Sequence, residues 1–506
     1  MTLADYIRLN AESFSDRTAI ETLDREGEIR ERVSFREAWQ LVRIMADAIL
    51  DAPSGKHGPF VATMFGNNAS AILSYPACWL ANRGVVQLNT RLADDEITFI
   101  LSDSDARVIL CDSANEERAR SLGKAGALTV VNADTLPREA EPGIASGPAP
   151  GAGQTAVIVY SSGTTGFPKG SVVSHELLLL WFYREAWAFE LSPDGVLLTA
   201  GPLFHFSYSL VSLIALTCGM RNRVLEAFVP PVALRELAEE TTAAFLVPTM
   251  LESLVRLRDS DSTGDGGGAP PAPAAKWILS AGAPVTTELL ERCFDTFPNA
   301  RIAEAYGFGE AGFVTYEIKD RANLRPHSVG WPLPGCDIGL FHEDGTRCAR
   351  GEVGVIGSRS VVPFGGYLGR PEESRAVIVG GGYALGGDIG AFDDDGRLSV
   401  LDRTKDLIVS GGENVYTAEV ERVLLLHPLV DEAAVVGAPD PYWGEIVVGA
   451  IVCSEPIGED ELRDFCRTGL AGYKVPRRFE FMPSLPRNAL GKVEKRLLRD
   501  RWSAHG

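Results

Sequence analysis

Apolar residues along the chain alternate between helical and strand spacing. Leu41 to Leu50 repeats apolar positions at helical intervals, and so does Ala69 to Asn82. Between them, Phe60 to Met64 is a short apolar run that predicts a buried strand. The runs Arg107 to Cys111 and Ala156 to Tyr160 are rich in β-branched residues and predict further strands. Such alternation is typical of an α/β fold with layered sheets and helices.

Changes in composition indicate loops and a domain boundary. Pro137 to Gln154 and Asp259 to Ala275 are low-complexity stretches, which predicts solvated loops because they bury little apolar surface. A Gly-rich strand region ends near Gly396, and a compact run of strand and helix patterns follows it. We therefore predict a large N-terminal domain over residues 1–403 and a small α+β domain over residues 404–506.

The charge of the chain is acidic overall and basic near its end. The 506 residues include 48 Lys and Arg against 68 Asp and Glu, a formal net charge of −20. This balance argues against nucleic acid as a partner, because a phosphate backbone attracts basic surfaces. Residues 472–506, however, contain nine Lys and Arg and three Asp and Glu. This local cationic region is suited to small anionic ligands.

Neither a signal peptide nor a membrane span is predicted. The sequence MTLADYIRLNAESFSD carries acids where a signal peptide needs a basic start and an apolar run. Phe206 to Met220 is too short to cross a bilayer and is flanked by His205 and Arg221. The eight cysteines form no CxxC pair, so we expect reduced thiols. These features predict a cytoplasmic protein that does not insert into membranes.

The most specific motif is YSSGTTGFPKG, which runs from Tyr160 to Gly170 directly after a predicted strand. Its glycines let the backbone approach phosphate oxygens, its hydroxyls add hydrogen-bond donors, and Lys169 adds positive charge. It is not a Walker A loop, because Pro168 stands where that pattern has Gly before the lysine. The motif predicts a polyphosphate-binding loop.

Gly307, Gly309 and Gly312 spell GxGxxG, the dinucleotide fingerprint. That fingerprint requires a helix after the glycines, because the pyrophosphate sits at the helix N-terminus. The following sequence, FVTYEI over 313–318, is typical of a strand. A dehydrogenase is therefore the weakest hypothesis for this chain.

The order of the motifs resembles the adenylate-forming superfamily of acyl-CoA synthetases, firefly luciferase and peptide-synthetase adenylation domains, and most of all the acyl-CoA ligases. Besides the phosphate loop, the matching motifs are PLFH (202–205), SAGAP (280–284), YGFGE (306–310), GGD (386–388), DRTKD (402–406), GGENVY (411–416) and LPRNALGK (485–492). The resemblance covers nearly the whole chain. It implies ATP and Mg²⁺ as cofactors, a small-molecule carboxylic acid as substrate, and a mobile C-terminal domain.

The resemblance also implies roles in nucleotide binding and catalysis. The residues implied in nucleotide binding are Ser161, Thr164, Thr165, Lys169, Gly282, Tyr306, Asp388 and Arg403. Tyr306 would stack on adenine and Glu310 would hold Mg²⁺, tasks that suit an aromatic face and a hard carboxylate. Lys492 is matched to the lysine that bridges the substrate carboxylate and the α-phosphate, where two anions meet and a cation is needed.

Further motif residues are implied in the hinge, the acceptor site and the acid pocket. Lys405 matches the hinge of the family, and Gly411 and Gly412 match the acceptor tunnel. His205 matches a positioning residue at the gate of the acid pocket. Its neighbours Phe206, Ser207 and Tyr208 would line that pocket. The stretch lacks the Asp with which amino-acid-activating relatives bind an ammonium, which argues against an α-amino acid. The pocket candidates are mostly apolar or aromatic with scattered hydroxyls, which favours an aryl or medium-length acid.

The chain departs from the family pattern at Gly309 and Gly386, where Thr is usual. The loss of one neutral hydrogen bond costs about 0.5 to 1.5 kcal/mol, so nucleotide binding should survive. The orientation of the phosphates or the choice of reaction is where we expect any consequence.

Together these features predict an AMP-forming acid–thiol ligase that makes an acyl-adenylate and transfers the acyl group, with coenzyme A as the expected thiol. One alternative is an adenylate-forming enzyme with an unusual acid or acceptor, namely a carrier protein, an amine, or nitrite as in ATP-dependent diazotases. Another is a non-catalytic nucleotide-binding relative, against which the retention of Lys492, Glu310 and Asp388 counts. The sequence leaves the identity of the acid and the oligomeric state open.

Overall fold

The structure is a computed structural model that describes residues 2–53, 58–126, 128–138, 150–161, 168–261, 271–411, 413–488 and 492–503. The helices are α1 (Leu3–Ser13), α2 (Phe35–Asp51), α3 (Ala69–Leu80), α4 (Asp94–Ser104), α5 (Glu116–Gly126), α6 (His175–Ala188), α7 (Phe206–Thr217), α8 (Pro230–Glu239), α9 (Pro248–Asp261), α10 (Thr287–Thr296), α11 (Pro371–Ala376), α12 (Thr417–Leu425), α13 (Glu459–Gly469) and α14 (Lys495–Ser503).

The strands alternate with these helices over most of the chain. They are β1 (Thr18–Leu23), β2 (Ile29–Ser34), β3 (Phe60–Met64), β4 (Gly84–Gln87), β5 (Val108–Cys111), β6 (Thr129–Asn132), β7 (Thr155–Ser161), β8 (Lys169–Ser174), β9 (Val196–Thr199), β10 (Arg221–Leu225), β11 (Ala243–Phe245), β12 (Trp277–Ser280), β13 (Arg301–Phe308), β14 (Gly312–Ile318), β15 (Ser328–Pro332), β16 (Cys336–Phe341), β17 (Gly354–Ser360), β18 (Ile378–Val379), β19 (Tyr383–Phe392), β20 (Leu398–Arg403), β21 (Ile408–Ser410), β22 (Glu413–Val415), β23 (Val430–Asp440), β24 (Gly444–Cys453) and β25 (Arg478–Phe481). The predicted α/β class is confirmed.

Most of the predicted elements occur, with shifts at their ends. The strand Phe60 to Met64 is β3, and Leu41 to Leu50 lies within α2. The predicted helix from Ala69 to Asn82 ends earlier, at Leu80, because Asn82 adopts a left-handed φ of 58° that a helix cannot contain. The helix α2 begins with a capping box in which the Ser34 hydroxyl accepts from the Glu37 N–H at 3.2 Å.

The two predicted loops lie partly outside the described residues, at 139–149 and 262–270. The remaining residues of the first stretch have no helix or strand. The second prediction is wrong at its start, because α9 continues to Asp261. Asp259 in the last turn of α9 accepts hydrogen bonds from Arg292 at 2.8 and 3.0 Å, which holds that turn against α10.

The chain divides into two compact units. Unit 1 comprises Met1–Ile338 and Ser358–Gly386, and unit 2 comprises Gly339–Gly357 and Gly387–Gly506. Large and smaller units were expected from the sequence, and the matching large and small domain families confirm that part of the fold. A boundary after residue 403 and the mobility of the small domain stay predictions.

Unit 1 contains two sheets. The first has the order β6-β5-β3-β4-β7-β8, parallel except for the antiparallel pair β7–β8. The second follows the path β2-β1-β10-β9-β11-β12-β13-β14-β15. Its β13–β14 hairpin is antiparallel, so a strand follows Gly312 where a dinucleotide fold needs a helix. The expectation against NAD is thus supported by the backbone.

Unit 2 is built on the sheet β22-β21-β24-β23, with β25 added parallel to β24. Its apolar core includes Val420 and Leu424 of α12 and Leu462 of α13, which pack against β23 and β24. The segments 339–357 and 387–403 belong to the same unit. Unit 2 therefore contains four of the predicted site residues, Asp388, Arg403, Lys405 and Lys492. The sequence alone did not indicate that these residues share one unit.

Two further expectations concern the whole chain. All eight cysteines are free thiols, as predicted. Among the described residues, no helix combines the length and the apolar character that crossing a membrane requires.

Candidate active site

The ends of the phosphate loop are held by the β7–β8 hairpin, in which Ser161 lies opposite Lys169. Thr164, Thr165 and the rest of 162–167 lie outside the described residues, as does the Ser161 side chain. The Lys169 ammonium forms an ion pair with the Glu373 carboxylate. It also lies 5.5 Å from the centre of the Tyr367 ring. The loop lysine is therefore held by an anion and an aromatic face in this structure.

The segment around Tyr367 runs along β8 and connects the two predicted phosphate-side residues. The Leu368 N–H donates to the Gly170 carbonyl at 2.8 Å, and the Val172 N–H donates to the Gly366 carbonyl at 2.9 Å. The Tyr367 hydroxyl donates to the Glu310 carboxylate. Burial and the nearby Glu310 charge raise the pKa of Tyr367, so the hydroxyl stays a donor. Tyr367 thus links Lys169 to Glu310.

Asp103 fixes the other end of this segment. Arg370 donates to both oxygens of Asp103, at 2.9 and 3.2 Å, and the Tyr160 hydroxyl donates to the same carboxylate at 2.7 Å. The bidentate pair joins the end of α4 to the start of α11, and the Tyr160 hydrogen bond adds the end of β7. It keeps the base of the phosphate loop and the Tyr367 segment in one arrangement.

Sequence reasoning missed Asp103, Tyr367, Arg370 and Glu373. The only local signal was YLGRPEES over 367–374, in which an aromatic, a glycine, an arginine and acids crowd together before a short helix. Such a stretch is typical of an ordinary turn, and the residues that it contacts are distant along the chain. Only the tertiary contacts reveal its proximity to the loop.

The predicted adenine-binding residue Tyr306 lies on β13, half-buried, with its ring centre 6.1 Å from that of Phe308. Gly307 is closely covered, since a Cβ there would lie 2.0 Å from the Gly312 carbonyl oxygen. Gly282 follows β12 with a φ of 92°, a backbone conformation that favours glycine. At Gly307 the backbone of Gly312 therefore occupies the space that a side chain would need.

The two departures from the family pattern have different surroundings. A Cβ at Gly309 would meet only the Ser171 hydroxyl, at an ordinary 3.5 Å. A Cβ at Gly386 would lie 2.6 to 2.9 Å from three ring atoms of Phe308. The Phe308 ring therefore occupies the space that a side chain at Gly386 would need. A side chain at Gly309 would therefore have room, whereas Phe308 occupies the space beside Gly386.

A cluster of buried charged side chains links β13 to β14. The Lys319 ammonium lies 3.0 Å from Glu304 and 2.7 Å from Glu317, and it donates to the Ser328 carbonyl at 2.6 Å. All three charged side chains are at least 93% buried. The Val285 N–H also donates to Glu304 at 3.2 Å, which ties the SAGAP turn to β13.

The predicted acid-pocket residues lie at the start of α7, for which His205 is the N-cap. The Phe206 ring is 6.3 Å from Trp181, and the His205 ring is 6.2 Å from Tyr208. Tyr208 is buried, covers Gly201, and donates its hydroxyl to the Met250 sulfur at 3.3 Å. Ser207 is half-buried. Aromatic rings therefore lie close together at the start of α7, and Tyr208 is the buried one of the predicted pocket residues.

Unit 2 contains the predicted cations Arg403, Lys405 and Lys492 and the carboxylate of Asp388. Asp388 lies opposite Arg403 in the β19–β20 pair, and Arg403 Nε is 3.4 Å from Asp388 Oδ1. The pKa of Lys492 is lowered, first because surrounding protein withdraws the ammonium from water, then by repulsion from Arg403 and Lys405, with Asp388 opposing. Its side chain still has exposed surface. An accessible, partly desolvated ammonium is suited to binding an anion.

The pKa of Lys405 is also lowered, by burial and then by Arg403. The Lys405 carbonyl accepts from Arg499 at 3.0 Å, and Arg499 also pairs with Asp406. Lys405 is therefore tied to α14, the helix that follows Lys492. Residues 489–491 of the Lys492 motif lie outside the described residues.

The predicted acceptor residue Gly411 has a φ of 61°, and its N–H donates to the Trp443 carbonyl at 2.8 Å. A Cβ there would lie 2.7 Å from the Trp443 ring, so only glycine fits. The Arg477 guanidinium lies 4.3 Å from the centre of the same ring. Gly412 lies outside the described residues.

Two family models match the chain. The AMP-binding enzyme model covers residues 7–368, and the AMP-binding enzyme C-terminal domain model covers residues 419–492. A 2-succinylbenzoate–CoA ligase of Bacillus licheniformis is 33% identical over 452 residues, 88% of this chain and 90% of that protein. A feruloyl-CoA synthase of an Amycolatopsis species is 33% identical over 479 residues, 93% of this chain and 94% of that protein.

A solved structure agrees with these relatives. The O-succinylbenzoate coenzyme A synthetase of Bacillus subtilis, in complex with ATP and magnesium ion, has a TM-score of 0.85 at 30% identity and covers 98% of both chains. The class predicted from the motifs, an AMP-forming acid–thiol ligase, is confirmed. The chain belongs to the AMP-binding enzyme family, within the adenylate-forming superfamily that its motifs resemble.

Proposed function

We propose that this enzyme activates a carboxylic acid with ATP and transfers the acyl group to coenzyme A. The observation that carries the proposal is the group of charges in unit 2, in which Arg403 pairs with Asp388 at 3.4 Å. Lys492 is near enough for Arg403, Lys405 and Asp388 to shift its pKa. A carboxylate and a triphosphate are both anions, so their reaction needs a mobile positive charge at the point where they meet. Lys492 supplies it from a segment whose composition is basic.

In the first half-reaction, a carboxylate oxygen of the acid attacks the α-phosphorus of ATP, and the bond to pyrophosphate breaks. Lys492 binds the carboxylate and the α-phosphate and stabilises the charge that develops between them. Lys169 binds the leaving phosphates, which replace Glu373 as its anionic partner. Ser161, Thr164 and Thr165 add donors from the loop, Gly282 lets backbone approach the nucleotide, Tyr306 stacks on adenine, and Asp388 accepts from ribose, beside Arg403.

The magnesium ion fits the donor set on the phosphate side. Glu310 offers a half-buried carboxylate that Tyr367 orients, and Mg²⁺ prefers one or two carboxylates together with substrate phosphates and water. When bound, the ion neutralises charge on the phosphates that leave. Glu310 is thus assigned to hold it, and Tyr367 positions Glu310.

The acid is proposed to be an aryl carboxylic acid. Trp181 and Phe206, with the buried rings of Tyr208, Phe245 and Phe313, place aromatic faces around the start of α7. Aromatic faces favour aromatic ligands through offset and edge contacts. His205 and Ser207 are the polar groups next to these rings, and they position the carboxylate end.

In the second half-reaction, the sulfur of coenzyme A attacks the acyl carbon and AMP leaves. We assign the acceptor side to Gly411, Gly412 and the neighbouring Trp443. The half-buried Trp443 ring and the Arg477 cation suit the nucleotide part of coenzyme A. Lys405 is assigned as the hinge through which unit 2 removes Lys492 and presents this face. A carrier protein is the alternative acceptor, and the enzyme is proposed to be cytoplasmic.

The test measures pyrophosphate release with a panel of aryl, medium-chain and amino acids, with coenzyme A, an amine, nitrite or no acceptor. Release that depends on an aryl acid, with thioester formed only with coenzyme A, supports the proposal. Pyrophosphate release that needs nitrite or an amine refutes coenzyme A as the acceptor. An absence of ATP turnover under every condition refutes catalysis.

Paired variants separate the two half-reactions. Lys492→Ala should abolish adenylation and spare thioester formation from supplied acyl-adenylate, whereas Lys405→Pro should do the reverse. Lys276→Ala, at an exposed lysine of unit 1, is the matched control and should retain both steps. Equal loss of both half-reactions in Lys492→Ala would refute its assigned role.

A further inference from the structure

A cluster of metal-ligating side chains lies in unit 2, between β16 and β17. It consists of His342, Cys348 and Glu352, and one ligand atom from each lies within 4.8 Å of the others. His342 Nδ1 is 3.6 Å from Cys348 Sγ, and Nε2 of the same ring is 3.4 Å from Glu352 Oε2. None of these residues belongs to the motifs of the acyl-transfer reaction.

The turn that carries the cluster is closely hydrogen-bonded. The His342 N–H donates to the Thr346 carbonyl at 2.9 Å, and the Cys348 N–H donates to the Leu340 carbonyl at 2.8 Å. These bonds form a hairpin that places the histidine and the cysteine near each other across its two arms. The backbone therefore brings an imidazole and a thiol together before any ligand is present.

The third ligand is oriented by a separate turn. The Ala349 N–H donates to Glu352 Oε2 at 2.6 Å, which directs the carboxylate back toward the hairpin. Gly354 leaves space for the thiol, since a Cβ there would lie 2.5 Å from Cys348 Sγ. Arg350 donates to the Asp394 carbonyl at 3.1 Å and so does not fill the cluster with its own charge.

We propose that His342, Cys348 and Glu352 bind one thiophilic divalent cation of the Zn²⁺ class, with water as the fourth ligand. Tetrahedral Zn²⁺ with Zn–S and Zn–N bonds of normal length separates sulfur from nitrogen by about 3.5 Å. The observed 3.6 Å between Sγ and Nδ1 agrees with that value, so Nδ1 is the ring nitrogen that binds the ion. Glu352, which contacts Nε2 in this structure, must turn its carboxylate toward Nδ1 to complete the set. A mixed nitrogen, sulfur and oxygen set selects zinc and similar metals over Mg²⁺, which prefers oxygen ligands.

Charge and access are also suitable. A thiolate and a carboxylate together neutralise a divalent cation, and metal binding displaces the thiol proton to solvent. The side chains of His342 and Glu352 are 47% and 49% exposed, so an ion and its fourth water can enter. The competing explanation is structural, in which Glu352 caps its own turn and the other two residues make a plain surface contact.

The test is a Co²⁺ titration of the reduced full-length enzyme after treatment with a chelator. We expect one equivalent to bind with a thiolate-to-cobalt charge-transfer band and the visible bands of tetrahedral Co²⁺, and we expect Zn²⁺ to displace it. Cys348→Ser should remove the charge-transfer band. His342→Ala and Glu352→Gln should each weaken binding by roughly tenfold or more.

Two controls identify the site. Cys453→Ser removes another partly exposed cysteine of unit 2, and Glu310→Gln alters the proposed magnesium ligand; both variants should retain the band. Absence of a thiolate band in the wild-type enzyme, or its persistence in Cys348→Ser, would overturn the proposal. If Cys348→Ser does not fold, His342→Ala decides, because unchanged affinity in that variant is equally fatal.

Discussion

Restoring the family's threonine at Gly386 is expected to damage the enzyme because of Phe308. The new Cβ would lie 2.6 Å from Cδ1, 2.7 Å from Cγ and 2.9 Å from Cε1 of that ring. Carbon atoms in good contact are about 3.5 to 4.0 Å apart, so the ring must move by about an ångström. Its centre is 6.1 Å from that of Tyr306, so the displacement is directed at the proposed adenine site or at the surrounding core.

Overpacking of this kind costs about 1 to 3 kcal/mol. If the whole cost appears in ATP binding, the KM for ATP rises by about 5- to 150-fold at 1.4 kcal/mol per factor of ten. If it appears in folding, the free energy of unfolding falls by the same amount. Pyrophosphate exchange at varied ATP concentration and denaturant unfolding together measure both terms.

A double-mutant cycle isolates the contact. In the Phe308→Ala background, Gly386→Thr should cause little further loss of ATP affinity or of the free energy of unfolding, which corresponds to an interaction energy of about 1 to 3 kcal/mol. Gly153→Thr is the matched control, because a Cβ at Gly153 meets nothing within 4 Å. Strictly additive effects of the two substitutions, or a harmless Gly386→Thr, would refute the steric explanation.

Three other substitutions test separate features. Gly309→Thr should be tolerated and should lower the KM for ATP by about two- to tenfold, the value of one hydrogen bond, because the Cβ fits at 3.5 Å from Ser171; a loss of stability would contradict this. Lys319→Met should reduce the free energy of unfolding by about 3 to 5 kcal/mol, because two buried carboxylates lose their cation. Adding Glu304→Gln and Glu317→Gln should recover most of this lost stability, and an absence of recovery would contradict the ion-cluster explanation. Glu185→Gln should flatten the pH dependence of unfolding, because burial raises the pKa of Glu185 from 4.5 to about 8. The folded carboxyl then keeps its proton while the unfolded one loses it, so wild-type stability is full below pH 4.5 and falls toward pH 8, by at most about 1.4 kcal/mol per pH unit; parallel curves for the two proteins would contradict it.

The sequence predicted much of the first unit because its signals are local. Phe60 to Met64 is apolar throughout and forms the buried strand β3, and Leu41 to Leu50 has the helical spacing of apolar residues that α2 shows. Errors occur where a long-range contact decides the outcome. The helix α9 continues to Asp261 because Arg292 of another helix binds Asp259, and no local pattern contains that information.

For the candidate site, the chain by itself determined the chemistry of the parts. The loop around Lys169, the Tyr306 strand and the Lys492 segment each have a residue composition suited to phosphate, adenine or carboxylate, and their order along the chain identifies the family. Tertiary structure decided which parts are neighbours. It placed Tyr367 between Lys169 and Glu310, grouped Asp388 and Arg403 with Lys492, and filled the space at Gly386 with Phe308. Residue types and spacing fix which interactions a chain can make, whereas contacts between distant segments exist only after the backbone has folded and the side chains have competed for the same volume.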